Sequence, residues 1–205
     1  MQTSITDGRL SVMIKFNAKL VAAVALARSR DFSRGYLCGV FFEGKKAIAA
    51  DGIFLTVAHD DDSEIDKPGI YPVSKKAVTA CAGKHADSVV FSNEQLHVRD
   101  ESGTTLYIEP CTVIAGTFPD WRRIVPSDAG SATHASLREK VMRVICDTAK
   151  AIKSPTVRLT GEDENAPHIV TYSDARLFSV AMPYRHTGVV RLPAWLQASA
   201  QSETA

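Results

Sequence analysis

One pattern recurs three times along the 205 residues: a short strand-like run, a helical stretch, then several strand-like runs. The helical stretches are NAKLVAAVALARSR at 17–30, SKKAVTACAGKHA at 74–86 and SLREKVMRVICDTAKAIK at 136–153. Asn17, Ser74 and Ser136 stand where N-caps belong, since a short side-chain oxygen can accept from the free N–H groups of a first helical turn. The runs before the helices cover 12–16, 69–73 and, more weakly, 132–135. Those after them cover 36–42, 46–50 and 54–59, then 88–91, 95–99 and 104–108, then 156–160, 168–172 and 177–182. All are rich in Val, Ile, Phe, Tyr and Thr, the residues that suit a pleated, half-buried surface. The helix starts lie 57 and 62 residues apart, which marks a structural repeat without obvious sequence identity.

Composition excludes several classes. With 45% hydrophobic and 23% charged residues, the chain is neither disordered, collagenous nor coiled coil. No apolar run approaches the roughly 20 residues of a membrane span, and the polar start of the chain has no signal-peptide core. Cys38, Cys81, Cys111 and Cys146 are widely spaced, without a C-x-x-C pair. They are expected to be buried free thiols in a reducing cytoplasm.

Charge is unevenly divided. The helical stretches hold eleven bases against Glu139 and Asp147, a surplus of nine positive charges. The net charge of the whole chain is only +1, so the remainder has a net charge of −8. On the third stretch Leu137, Val141, Val144, Ile145, Thr148 and Ile152 share one arc at 100° per residue, with Arg138, Arg143, Lys150 and Lys153 opposite. The apolar arc is expected to pack on a sheet. A basic arc that reads no bases would hold a polyanion through its phosphates.

Two segments are more specific: GTFPDWRRIVP at 116–126 and SVAMPYR at 179–185. SRDFSRGYLCGVFFE at 29–43 and AADGIFL at 49–55 are weaker. Together they resemble the bacterial DNA polymerase III beta subunit, the ring-shaped sliding clamp. The middle domain of that family carries R-x-x-L-N-G-V, T-D-G-H-R-L and F-P-D-Y-R-R-V-x-P, and its chain ends near V-M-P-M-R-L. The resemblance implies an α+β DNA clamp fold of repeated β-α-β-β-β units, helices on one side of antiparallel sheets, with three units here. It also implies an N-terminal extension (1–11), a clamp domain (12–126, units 12–65 and 66–126), a linker (127–133), a half clamp domain (134–186) and a tail (187–205). There are departures from the family pattern. The family Asn is Cys38, and its polar His-Arg pair is Ile53-Phe54. Three units stand where the family has six.

Residue by residue, the resemblance implies a client-peptide groove of Leu37, Gly52, Phe54, Leu55, Pro119, Arg123, Ile124, Val180, Met182, Pro183, Tyr184 and Arg185. An aliphatic and Met-rich pocket suits Leu or Phe anchors, and the two arginines suit peptide carbonyls or acidic flanks. Read without the resemblance, Met182, Val180 and Ile124 are ordinary core and the prolines end strands. The same resemblance makes Lys19, Arg28, Arg30, Arg34, Lys75, Lys76, Lys84, Arg138, Arg143, Lys150 and Lys153 the candidates for sequence-independent contact with duplex DNA. It implies DNA polymerase and clamp-loader peptides as partners, no cofactor, no metal and no catalysis.

Two other functions compete. A non-encircling decoy or adaptor would capture clamp-binding peptides and ignore DNA. A metal-dependent hydrolase would use the loop from His59 to Glu64, but consecutive side chains on an extended loop diverge, and a solvated acidic loop is the plainer reading. Clamp domains pair their units, so the third unit is expected to leave a bare sheet edge and half a core. Self-association through it would complete a domain, and four chains would supply the twelve units of a ring, making a homo-oligomeric tetramer. The run VVRLPAWL at 189–196 could instead fold back over that edge.

Overall fold

A computed structural model describes residues 14–128, 130–131 and 135–185. The expected extension at 1–11, most of the run at 132–135 and the tail at 187–205 lie outside the described residues.

The first unit comprises β1 (Ile14–Asn17), α1 (Ala18–Ala25), β2 (Val40–Glu43), β3 (Lys46–Ala50) and β4 (Phe54–His59). A two-residue strand, β5 (Glu64–Ile65), follows the acidic loop after β4, the connector between the first two units. The second unit comprises β6 (Gly69–Tyr71), α2 (Lys75–Ala82), β7 (Ser88–Ser92), β8 (Gln95–Arg99) and β9 (Thr105–Pro110). The third comprises α3 (Glu139–Ala151), β10 (Val157–Thr160), β11 (His168–Tyr172) and β12 (Leu177–Ala181).

The first two units exchange their opening strands. β1 joins the sheet β5-β1-β7-β8-β9, and β6 joins the sheet β10-β11-β12-β4-β3-β2-β6. Every named pairing is antiparallel. The three helices lie on one side, and a single apolar core runs between them and the sheets. It takes in Val141, Ile145, Val170 and Leu177 of the third unit together with α1. The third unit is continuous with the first, with α3 packed beside α1 and β12 extending its sheet, while β10 stands at the end of that sheet with no strand beyond it among the described residues.

α1 is shorter than the helical stretch expected at 17–30. It ends at Ala25, and all of its residues except Lys19 are buried. A helix covered on several sides needs small, apolar residues all round, and the alanines here let two helices and a sheet approach it. Asn17 caps it as expected, accepting from the N–H groups of Lys19 and Leu20 at 3.0 and 3.2 Å. Ser74 caps α2, accepting from Ala77 N at 3.0 Å and donating to Glu109 Oε2 at 2.6 Å. Ser136 is not the cap of α3. That position falls to Arg138 with no side-chain bond, and the Ser136 carbonyl instead accepts from Tyr184 N at 2.6 Å. The apolar arc read for α3 does face the core, with Val141, Ile145 and Thr148 buried.

A second apolar cluster covers the other face of the seven-stranded sheet. There Leu37, Ile48, Leu55, Val57 and Val180 meet Phe118 and Trp121 from the long connection after β9. Gly39 permits that connection to close, because a Cβ there would stand 2.7 Å from Tyr71 O and 2.9 Å from Ile114 Cδ1.

Candidate functional site

The connection after β9 is pinned by its specific residues. Asp120 caps a short 3-10 helix, Trp121–Ile124, accepting from Arg122 N at 3.3 Å. Trp121 Nε1 donates to Glu43 Oε1 at 2.9 Å, and Arg122 Nη2 donates to the same oxygen at 2.6 Å. The Arg122 guanidinium stacks 4.7 Å from the Trp121 ring, and Phe118 stacks on Phe41 at 5.0 Å. The Asp, aromatic and first Arg of the motif thus build the loop.

The third unit meets this loop through strand pairing. Val180 lies opposite Leu55 and Ala181 opposite Phe54, and Met182 N continues the ladder by donating to Ile53 O at 2.9 Å. The pairing sets SVAMPYR beside the 116–126 loop. A cleft of about 510 Å³ opens between them. Arg123, Ile124 and Met182 line it, as do Val125, Asp128, Glu162 and Pro167. The last two come from the β10–β11 turn, whose composition signals a turn and nothing more.

The twelve expected groove residues divide by position. Arg123, Ile124 and Met182 line the cleft. Leu37, Leu55 and Val180 form the buried floor of the sheet beside it. Phe54 does not belong there. Its side chain lies in the main core on the helical face, because adjacent residues of a strand point to opposite faces. Gly52, at φ +95°, makes the β3–β4 turn under Arg34, away from the cleft lining. Pro119 and Arg185 are exposed and Pro183 half-buried, all outside the lining. Tyr184 is exposed beneath the Arg138 guanidinium at 5.1 Å.

The expected DNA-contacting cations all belong to the helical side or its ends, with one exception, Arg34, which lies in a 3-10 helix (Phe32–Leu37) and pairs with Asp31 at 3.4 Å. Lys19 donates to the carbonyl of Gly83 at the end of α2. Burial, and then the nearby charge of Lys153, lower its ammonium below the ordinary lysine value. α1 thus runs antiparallel to both neighbours. Arg28 and Arg30 follow α1 rather than lying in it, and they share a cavity of about 290 Å³ with Lys140 and Arg143. Burial, and then Arg30, lower the Arg28 guanidinium. Arg143 pairs with Glu139 and Lys150 with Asp147 at 3.5 Å, so part of the positive charge is locally neutralised. Lys75, Lys76, Lys84, Arg138 and Lys153 are exposed.

The acidic connector has a structural use that its spacing does not reveal. Asp60 is buried, and its Oδ2 accepts from Asn17 N at 2.8 Å, fixing the start of α1. His59 Nε2 stands 3.0 Å from Asp61 Oδ1. Among the described residues no three His, Cys, Asp or Glu side chains converge as a metal site, and no helix is long and apolar enough to cross a membrane. Burial pushes the Cys81 and Cys111 thiols up to about 12, whereas Cys38 is half-buried and Cys146 exposed, contrary to the expectation of four buried thiols.

No protein-family model and no curated protein matches this sequence. Solved structures do match. The DNA polymerase III beta subunit of Thermotoga maritima superposes with a TM-score of 0.63 at 14% identity, over 90% of this chain and 68% of that one. The sliding clamp of Bartonella birtlesii, solved with griselimycin bound, gives 0.63 at 15% over 90% and 69%. The beta subunit of Streptococcus pyogenes gives 0.60 at 18% over 91% and 68%. The fold is therefore the DNA clamp fold of bacterial DNA polymerase III beta subunits.

Proposed function

We propose that the protein is a sliding clamp-like processivity factor without catalytic activity. It holds duplex DNA through the cations of its helical layer and receives polymerase or clamp-loader peptides in the cleft beside Met182. The β12–β4 pairing carries this reading: it sets the cleft on one face of the sheet while the helix-borne cations collect on the other. Such a surface neutralises phosphates and releases their counterions, so binding is indifferent to sequence and falls steeply with salt. The functional units are one clamp domain (12–126) and a half-domain (134–186). Two half-domains from separate chains complete one domain about a two-fold axis, and four chains supply twelve units.

The adaptor reading draws support from the ion pairs of Arg143, Lys150 and Lys140 on the helical face, which reduce its positive potential. Retention on DNA separates the two. A clamp stays on nicked circular duplex and runs off the same molecule once linearised. An adaptor is retained by neither, yet still binds a Leu- and Phe-bearing clamp-binding peptide. A native mass of one chain at tens of micromolar overturns the proposed ring.

A further inference from the structure

β4, β12 and β9 are the last strands of their units. The first two close on each other edge to edge. Among the described residues, no strand pairs with the outer edge of β9. Exposed edges are commonly guarded by lysines, inward charges, prolines or β-bulges, and β9 has one irregularity, at Leu106, where its pairing steps from Tyr107–Val98 to Thr105–Arg99. β9 reads Thr-Leu-Tyr-Ile-Glu-Pro, with its only proline at the far end, and Leu106 and Ile108 are 48% and 50% exposed.

The backbone of β9 fixes which groups are free. Cys111 N donates to Glu94 O at 2.8 Å, so its alternates Glu109 and Tyr107 also turn their amides toward β8. Ile108, between Tyr107 and Glu109, turns its amide outward, and the same alternation from Tyr107 assigns Leu106, the extra residue of the irregularity opposite Arg99, to the outward side. We propose that this edge is a second self-association surface, on which β9 pairs antiparallel with β9 of another copy about a two-fold axis through Tyr107.

That register is self-complementary. Leu106 and the partner's Ile108 exchange two backbone hydrogen bonds, and the axis repeats them, making four. Their side chains cover one another on the outer face. Glu109, the only charged residue of the strand, falls opposite the partner's Thr105, so no like charges meet. A register centred on Ile108 is poorer, because it places Pro110, which has no N–H, opposite Leu106. The contact is read from the strand itself and goes beyond the proposed function, whose self-association uses the third unit at the other end of the molecule. With both surfaces, isologous contacts alternate from chain to chain.

Sedimentation equilibrium of the full chain at tens of micromolar tests the proposal. Ile108→Lys is expected to halve the native mass, from four chains to two if the third unit also associates and from two to one if it does not. Phe32→Lys, at an exposed apolar position of the first unit, leaves the mass unchanged. An unchanged mass for Ile108→Lys, or a wild-type monomer, overturns the proposal. So does a monomer whose mass rises on deletion of 186–205, which would mean that the chain covers its own edge. Cross-linking guards against misfolding of the lysine variant. Tyr107 pairs with itself in a non-hydrogen-bonded position, where Cα atoms lie about 4.5 Å apart, within disulfide reach. On a Cys38→Ser, Cys146→Ser background, mild oxidation is expected to couple Tyr107→Cys into a covalent dimer but not Leu106→Cys. Equal coupling of the two, or of neither, overturns the register.

Discussion

Val180 lies directly opposite Leu55 across the junction of β12 and β4, and both are fully buried on the face of the sheet that carries the cleft. The third unit is thus continuous with the first through main-chain hydrogen bonds, and a change at this seam is felt by both.

Ser179 sits at the centre of the seam. Its hydroxyl meets Thr56 Oγ1 at 2.9 Å and Tyr172 Oη at 3.0 Å. Ser179→Ala strands two buried hydroxyls and is expected to cost about 1–3 kcal/mol, read as a lower urea midpoint. Ser179→Thr, which keeps the hydroxyl, recovers part of the loss.

Asp51 and Lys140 make an unequal pair across the same boundary, 2.6 Å apart. The Asp51 side chain is only 7% exposed and that of Lys140 61%. Asp51 Oδ1 also accepts from Ile53 N and Phe54 N, holding the β3–β4 turn. Asp51→Ala is therefore expected to destabilise the fold by about 2–3 kcal/mol, and Lys140→Ala by under about 1 kcal/mol, in denaturant unfolding. Equal costs would contradict the asymmetry of burial.

Acid should loosen the seam through Asp174. The Arg176 guanidinium, donating from Nε and Nη2 at 3.1 and 2.8 Å, is the main cause that holds this carboxyl below its ordinary value of 3.8. Arg176 O in turn accepts from His59 N at 2.7 Å, which ties the β11–β12 turn to β4. Because the folded value lies below the unfolded one, the contribution is complete above 3.8 and is lost as pH falls through the lower value. Asp174→Asn flattens the pH dependence of the urea midpoint below pH 4 or so.

Thiol reactivity reports the core. Cys146 is exposed, while the Cys81 and Cys111 thiols are buried and pushed up to about 12. Iodoacetamide at pH 8 is expected to label Cys146 rapidly and to leave Cys81 and Cys111 unmodified until urea is added, as read by peptide mass spectrometry.

The cleft is testable without disturbing the fold, since Ile124 and Met182 are 44% and 38% exposed. Ile124→Ala and Met182→Ala are each expected to weaken a clamp-binding peptide by about tenfold, or about 1.4 kcal/mol, with unchanged unfolding midpoints. Titration calorimetry that finds no change places the peptide elsewhere.

Much of this architecture is legible from local patterns. The Asn17 and Ser74 caps, the apolar arc of α3 and the strand-rich runs act over a few residues, and the chain states them directly. The groove was legible only in part. The resemblance names Phe54 and Leu55 together, yet the two-residue period of a strand sends them to opposite faces. Glu162 and Pro167 reach the cleft from a turn with no chemical signature of its own.

The sequence by itself determined the three helices and the strands that follow them, the Asn17 and Ser74 caps and the placing of basic residues on and beside the helices, because periodicity and capping depend on near neighbours. Only the tertiary structure decided that β12 closes on β4, that α1 is enclosed rather than half-exposed, and that, among the described residues, β9 pairs along one edge alone. The first two outcomes rest on hydrogen bonds and apolar contacts between residues from tens to more than a hundred positions apart, whose partners no local pattern names.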